Sequence, residues 1–141
     1  MKVSAKTEYA CIAMMELAAG YGSGEPVRIR KIAQQHGVPS RFLVQILLQL
    51  KGAGLVSSTR GASGGYRLLK PPQEITLGTV MSVIEGPDNQ RTSSAQGKSA
   101  SVEVLLEVWR EIARAEREQL GSITLADLVA RAANSESMYY I

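Results

Sequence analysis

The stretch LVSSTRGASGGYRLLK, residues 55–70, decides the fold of this chain. Two short runs with strand character stand on either side of a glycine-rich turn. The turn contains three glycines: Gly61, Gly64 and Gly65. Glycine supplies backbone freedom that other residues lack, so the stretch predicts a two-stranded β-hairpin with a flexible tip. Arg60 and Arg67 flank this tip and make the hairpin basic.

The residues before the hairpin predict two short helices joined by a tight turn. Residues 28–36 form the first helix, which Gly37 ends. The second begins at about Pro39, a residue that suits a first helical turn, and it buries an apolar face with helical spacing. That face consists of Leu43, Ile46, Leu47 and Leu50. This arrangement is typical of a helix-turn-helix, and the hairpin directly after it predicts a winged version.

The flanking segments complete a mainly α-helical fold. Residues 3–19 predict a first helix that is buried on several sides, because most of its faces are apolar. After the hairpin, Thr76 is positioned to cap another helix, with Ile75 and Val80 as a hydrophobic staple. Residues 86–101 are small and polar, and we expect them to form a flexible loop.

A long amphipathic helix is predicted over residues 102–120. Its apolar stripe could pack on its own domain or on a second copy of the chain, and a dimer interface is favoured because DNA-reading folds of this size usually pair. The stripe contains Val102, Leu105, Leu106, Trp109, Ile112 and Ala113. A last helix follows Thr124, which forms a capping box with Asp127. The predicted organisation is a DNA-binding domain over residues 1–85, a flexible loop over 86–101, and a dimerisation helix with a C-terminal helix over 102–141.

Charge is distributed unevenly along the chain, whose net charge is +3. Residues 1–70 contain ten Lys or Arg against three Glu, a net charge of +7, whereas residues 71–141 contain six Lys or Arg against ten Asp or Glu, a net charge of −4. A basic half of this kind is the electrostatic footprint of nucleic-acid binding. The sequence therefore predicts double-stranded DNA as a partner.

Composition and motifs argue against other classes of protein. No apolar run approaches the roughly 20 residues that a membrane helix needs, so no membrane partner is expected. A single cysteine allows no internal disulfide, which suits the reducing cytoplasm. Nothing resembles a nucleophile–base pair or a paired-carboxylate site, and GASGGY lacks the lysine and the helix of a phosphate loop. An enzyme is therefore not expected.

Five segments carry a resemblance to a known family. In chain order they are TEYACIAMMELA, KIAQQHGVPSRFLVQIL, LKGAGLVSSTRGASGGYRL, ITLGTVMSVIEG and ITLADLV. Together they resemble the Rrf-two family of bacterial winged-helix transcription regulators, and the third segment is the most specific. That family includes the iron–sulfur cluster regulator, the nitrite-sensitive repressor and the cysteine-metabolism repressor. The resemblance covers nearly the whole chain.

The resemblance implies a homodimer that places a recognition helix in the major groove and the wing in the minor groove. The base-reading candidates are Ser40, Arg41 and Gln45, since Gln can pair with adenine edges and Arg with guanine. Arg60 is the minor-groove candidate, because a narrow A·T-rich groove attracts a guanidinium. Phosphate contacts, which set register and affinity, are expected from Lys2, Lys6, Tyr9, Arg28, Lys51 and Arg67.

One departure from the family concerns its cofactor. Many members hold an iron–sulfur cluster through three cysteines in the loop before the long helix, but here residues 86–101 contain no cysteine. Serine hydroxyls are poor ligands for such clusters, so no cofactor and no metal are expected. Cys11 is expected to be a small buried hydrophobic residue. Glu8 and His36 are likewise not expected to bind a metal.

Two other departures leave the base preference open. Arg28 occupies the position where a Ser or Thr would cap the second helix. Val44 places an apolar group on the recognition helix, where it either contacts a thymine methyl or packs on the first helix.

The sequence thus predicts a sequence-specific DNA-binding regulator, a repressor acting as a homodimer without an iron–sulfur cluster at the usual site. The alternative is a protein-interaction module of the same fold that binds an enzyme or a regulatory partner. The signal could be a small molecule, a partner protein or a redox change elsewhere. A small-molecule effector would bind in a cavity between the long helix and the DNA-binding domain. Trp109 or Met81 would line that cavity, and core packing is the other role open to both.

Overall fold

The computed structural model of the chain describes residues 1–86 and 93–139. This part of the chain is mainly helical and contains one two-stranded antiparallel sheet. The elements are α1 (Ala5–Ala19), α2 (Ile29–His36), α3 (Ser40–Gly52), β1 (Val56–Thr59), β2 (Gly65–Leu68), α4 (Leu77–Glu85), α5 (Ala100–Ser122) and α6 (Leu125–Tyr139). A short 3-10 helix, Pro72–Glu74, precedes α4. The order confirms the predicted winged helix-turn-helix with a long C-terminal helix.

Side chains cap two helices as predicted. Thr76 accepts a hydrogen bond from the Thr79 backbone N–H at 3.1 Å at the start of α4. At the start of α6, the Thr124 N–H donates to Asp127 Oδ2 at 2.9 Å, and the Asp127 N–H donates to Thr124 Oγ1 at 3.1 Å. These bonds satisfy backbone donors that a helix start leaves unpaired. Arg28 precedes α2 without a side-chain cap bond, because its side chain has no acceptor.

The wing is a hairpin in which Val56 pairs with Leu68 and Thr59 pairs with Gly65. Val27, between α1 and α2, extends this sheet through a two-way backbone pair with Tyr66, both hydrogen bonds measuring 2.8 Å. Gly65 makes this pairing possible, since its φ is +149° and a Cβ there would lie 2.5 Å from the Val27 carbonyl oxygen. The wing is therefore attached to the chain entering the helix-turn-helix.

One apolar core, built around α1, holds the elements together. Ala10, Ala13, Met14 and Leu17 of α1 are buried against residues from α2, α3, the wing and α4. Leu125 of α6 is buried in the same core, so the C-terminal helix packs against α1, although the predicted organisation groups it with the long helix α5. Burial of these side chains is the main contribution to stability, at about 25 cal/mol per Å² of apolar surface removed from water.

Backbone contacts position α5 and α6 beside α4. The Leu77 N–H donates to the Ile123 carbonyl at 2.8 Å, and the Leu125 N–H donates to the Ile75 carbonyl at 2.9 Å. Gly78 of α4 faces α5, since a Cβ there would make van der Waals contact with the backbone of Leu120 at 3.4 Å. In residues 1–86 and 93–139, no helix combines the length and the apolar character that a membrane span requires.

The observed element boundaries differ slightly from the predicted ones. Helix α5 begins at Ala100, two residues inside the expected loop, because the Ser99 hydroxyl accepts a hydrogen bond from the Val102 N–H at 3.2 Å. Pro39 stands immediately before α3 rather than within its first turn. Residues 87–92 of the expected loop lie outside the described residues.

Candidate nucleic-acid interface

Helix α3 separates its residues into a buried face and an exposed face. Leu43, Ile46, Leu47 and Leu50 are fully buried, as their helical spacing predicts. The base-reading candidates Ser40, Arg41 and Gln45 are all exposed. At 100° per residue, these three positions share one side of the helix with Val44 and Leu48. The packed face fixes the helix, and the opposite face is free to contact another molecule.

The exposed face of α3 is also unusually apolar. Phe42, Val44 and Leu48 are all exposed large hydrophobic residues. Val44 therefore presents its side chain to solvent, which suits contact with a thymine methyl better than packing within the protein.

An aromatic stack links α3 to α1. The Phe42 ring lies 5.8 Å from the Tyr9 ring, centroid to centroid, at an interplanar angle of 48°. The Arg41 guanidinium carbon lies 5.1 Å from the Phe42 centroid, which is within cation–π range. Arg41, a base-reading candidate, and Tyr9, a phosphate candidate, therefore both contact the Phe42 ring. Phe42 is not among the residues predicted from the sequence, although its position beside the buried face of the predicted recognition helix was a usable signal.

The wing places its arginines at different positions. Arg60 is exposed in the turn directly after β1, whereas Arg67 is exposed on β2, opposite Ser57. The end of α3 is tied to β1, because Lys51 Nζ donates a hydrogen bond to Ser58 Oγ at 2.8 Å. Lys51 therefore has a structural contact as well as its predicted phosphate role.

The remaining phosphate candidates are distributed over the N-terminal region. Lys2 and Arg28 are exposed, and Lys6 and Tyr9 are half-buried on α1. Arg28 also lines an open cleft of about 650 Å³ between α2 and the loop before it. Arg30 and Lys31 of α2 line the same cleft and are not among the predicted phosphate contacts. The sequence pattern that could have identified them is the clustering of three cations, Arg28, Arg30 and Lys31, within four residues.

Helix α5 has no buried residue, although it is the longest helix described. Of the six residues predicted for the dimer interface, Leu105, Trp109 and Ile112 are exposed. The other three, Val102, Leu106 and Ala113, are half-buried. Val104 and Val108 extend the exposed set, whose five members are 40–58% exposed. We call Val104, Leu105, Val108, Trp109 and Ile112 the α5 apolar face.

A cavity lies beside the first half of α5. It has a volume of about 430 Å³, and its walls are Ser93, Ser94, Ala95, Val102, Leu105, Leu106 and Trp109. Trp109 lines this cavity, but no residue of the predicted DNA-binding domain does, so the cavity differs from the predicted one between the long helix and that domain. Met81 does not, because it is buried on α4.

Two titratable residues of α1, Cys11 and Glu16, lie close to charged or titratable groups on neighbouring helices. Cys11 is half-buried, and burial, followed by the nearby Glu85 carboxylate, raises the pKa of its thiol from 9.0 to about 11. His36 Nε2 lies 2.9 Å from Glu16 Oε1, so His36 joins α2 to α1. Glu8 is exposed, and among the described residues the ion pair of His36 is with Glu16 rather than with Glu8.

Comparison with known proteins identifies relatives over the whole fold. A family model described as Rrf2, iron-dependent transcriptional regulator, matches residues 3–131. The HTH-type transcriptional regulator CymR of Bacillus subtilis (strain 168) is 37% identical over 139 residues, covering 99% of this chain and 97% of the relative. The solved structure of CymR, the global cysteine regulator of B. subtilis, has a TM-score of 0.82 at 36% identity and covers 93% of this chain and 98% of that chain. The structure of T. potens IscR has a TM-score of 0.79 at 35% identity, covering 99% of this chain and 97% of that chain.

The description of the family model names iron, but the residues of this chain do not fit a thiolate-held cluster. The chain has one cysteine, and such clusters are held by several thiolates. The raised pKa keeps Cys11 protonated at neutral pH, so it is not a ready ligand. Across residues 1–86 and 93–139, no group of three His, Cys, Asp or Glu side chains is arranged to hold a metal ion.

Proposed function

Because the chain belongs to the Rrf2 family of transcriptional regulators and is a DNA-binding regulator, we propose that it binds a specific palindromic operator as a homodimer and represses transcription there. Family membership favours this function over a protein-interaction module of the same fold. The family and the relatives are transcriptional regulators, and we assign the chain no catalytic activity. We also propose that it acts without an iron–sulfur cluster at the usual site, since its residues do not fit one.

The exposed face of α3 carries the proposal that the chain reads base edges. Ser40, Arg41 and Gln45 supply a hydroxyl, a guanidinium and an amide on one side of a helix whose other side is fully buried. An α-helix fits the major groove, where Arg pairs with guanine and Gln with adenine. Arg60 in the wing supplies a cation for the adjacent minor groove.

The α5 apolar face supports the proposed homodimer. A 23-residue helix without a buried residue leaves a large apolar surface in water, which is unfavourable in a lone protomer. A second copy would cover that surface and would present a second α3. Dimers of this kind contact half-sites one helical turn, or a multiple of it, apart.

The cavity beside α5 supports a small-molecule effector. Its walls combine two serine hydroxyls with the apolar side chains of α5, a combination that suits a small ligand with one polar end. Saturable quenching of Trp109 fluorescence by a metabolite would identify the effector. If a library of metabolites leaves both fluorescence and operator binding unchanged, the effector proposal is wrong.

The decisive experiment is selection of genomic DNA fragments by the purified, colourless protein, followed by binding titrations at two salt concentrations. We expect a palindromic consensus that is bound 10³-fold or more tighter than random DNA, on the order typical of specific regulators. A matched control replaces Ser40, Arg41 and Gln45 together with Ala, and it should retain only weak, sequence-independent binding. If the wild-type protein shows no preference among fragments, the proposed function is wrong.

A further inference from the structure

The Arg41 side chain is ordered by a ring rather than by a carboxylate. Its guanidinium carbon lies 5.1 Å from the Phe42 centroid. Among residues 1–86 and 93–139, the ion pairs found do not include Arg41. The Phe42 ring is therefore the neighbour that the structure provides for this guanidinium.

The Phe42 ring is itself held in place. It is 37% exposed, so part of its surface lies against the protein. The Tyr9 ring of α1 contacts it in a tilted arrangement, with 5.8 Å between centroids. Aromatic pairs at this distance are favourable beyond the burial of their area, so the Tyr9 ring stabilises this position of the Phe42 ring. Tyr9 packs against the apolar core, so the stack connects Arg41 to the core through Phe42 and Tyr9.

Ordering matters for an arginine that reads a base. A free arginine side chain loses considerable rotamer freedom when both donors of its planar fork are fixed on guanine. A ring beneath the guanidinium limits that freedom before binding, and it leaves the in-plane N–H groups available for hydrogen bonds. Preorganisation of this kind improves binding without a new contact to the DNA.

We propose that Phe42 is a specificity-determining positioning residue, which holds the Arg41 guanidinium so that it discriminates guanine from the other bases. This inference rests on the proposed function, since it assigns Arg41 to base reading. Phe42 acts through Arg41 and makes no base hydrogen bond itself. Tyr9 acts one step further away, by supporting the ring.

The test is a set of binding titrations on the selected operator and on operators with each base pair changed singly. The base pair whose guanine preference disappears in Arg41→Ala is the pair that Arg41 reads. Phe42→Leu, which keeps apolar volume but removes the ring, should reduce the guanine preference at that pair by about two- to fivefold, as expected for an exposed cation–π contact. Phe42→Tyr should retain it, because the ring face is kept.

Two controls separate positioning from a structural effect. Tyr21→Leu removes an exposed aromatic ring from the loop after α1, away from α3, and should leave the guanine preference unchanged. In the Arg41→Ala background, Phe42→Leu should have no further effect on that preference, because the side chain it positions is gone. Tyr9→Leu should lower the preference less than Phe42→Leu does.

Other outcomes overturn the inference. A uniform loss of affinity on all operators in Phe42→Leu, or loss in Phe42→Tyr equal to that in Phe42→Leu, means that Phe42 is structural. If Arg41→Ala changes specificity and Phe42→Leu does not, the inference fails while the proposed function stands. If the wild-type protein has no preferred operator, the proposed function itself fails.

Discussion

Single side chains in this protein differ most in what surrounds them. Arg41 lies against an aromatic ring, Arg60 is exposed in the turn of the wing, and Lys51 is hydrogen-bonded to Ser58. The first contact lies beside a side chain that we propose reads the major groove, whereas the last connects two elements. Substitutions at these cations should therefore change DNA binding in distinguishable ways.

Replacement of Arg60 with Ala should weaken binding most on operators with A·T-rich flanks. The narrow minor groove of such flanks has an enhanced negative potential, so we expect a loss of roughly tenfold there and a smaller loss beside G·C-rich flanks. Binding titrations on operators with A·T-rich flanks and with G·C-rich flanks will measure the two losses of affinity. Lys51→Ala is the comparison, and it should weaken all operators alike and lower the salt slope by about one. If Arg60→Ala and Lys51→Ala lose affinity equally on every operator, the wing does not contribute to sequence recognition.

Because Lys51 also contacts Ser58, its variant needs a control of its own. Ser58→Ala removes the hydrogen bond and keeps the positive charge. If Lys51 acts on phosphates, Ser58→Ala should leave the salt slope unchanged.

Cys11 should make stability depend on alkaline pH. Its thiol has a pKa of about 11 in the folded chain against an ordinary value of 9.0, so the folded state binds the proton more tightly. The resulting stability is complete below about pH 9 and is lost as the pH rises towards 11. The free energy of unfolding, measured in urea from pH 7 to 11, should fall more steeply in the wild type than in Cys11→Ala. Parallel pH profiles would show that burial does not perturb this thiol.

The wing is the element whose attachment depends most on backbone geometry. Its sheet joins Val27 only because Gly65 has no Cβ and has a φ of +149°. Gly65→Ala should therefore destabilise the protein by about 1–3 kcal/mol, the usual cost of forcing an unfavourable backbone conformation. Thermal and urea unfolding will measure the change. Operator affinity should fall as well, since the wing would lose its orientation.

The matched control for the wing is Gly52→Ala. Gly52 is the last residue of α3, and a Cβ there would meet no atom within 4 Å. This substitution should leave stability unchanged or slightly increased, because Ala is the better helix former. A loss as large as that of Gly65→Ala would contradict the steric explanation.

At the scale of the whole molecule, the α5 apolar face is the surface that a lone protomer leaves in contact with water. Trp109→Glu and Ile112→Glu each place a charge on that face and should convert the dimer to a monomer, which sedimentation or light scattering will show. Loss of the dimer should also weaken operator binding by at least tenfold, because each protomer would then contact only one half-site. Tyr21→Glu introduces the same charge at an exposed aromatic residue in the loop after α1 and should leave the dimer intact. A monomeric wild-type protein would overturn the dimer proposal.

Much of the candidate interface could be predicted from the sequence. Ser40, Arg41 and Gln45 lie on an exposed face because the spacing of the buried residues places them there. Their roles on DNA stay predictions. The stack of Tyr9 on Phe42 was not predictable, because the two residues belong to different helices whose packing has no local signal.

Helix α5 likewise combines a feature that the sequence predicted with one that it did not. Helical periodicity predicted an apolar stripe, but it did not show that Val102, Leu106 and Ala113 would be half-buried while Val104 and Val108 stay exposed. That outcome depends on how α5 lies beside α4.

Residue type and spacing alone were enough to predict the helix caps, the glycine-turned wing, the basic half and the lack of cluster cysteines, since each depends on neighbouring residues or on composition. Three features were decided by tertiary packing: the Val27–Tyr66 pairing, the stack of Tyr9 on Phe42, and the packing of α5 beside α4, which sets the side of α5 left uncovered. Each joins residues distant in the chain, whose contacts are set by the close packing of the whole core rather than by local preference.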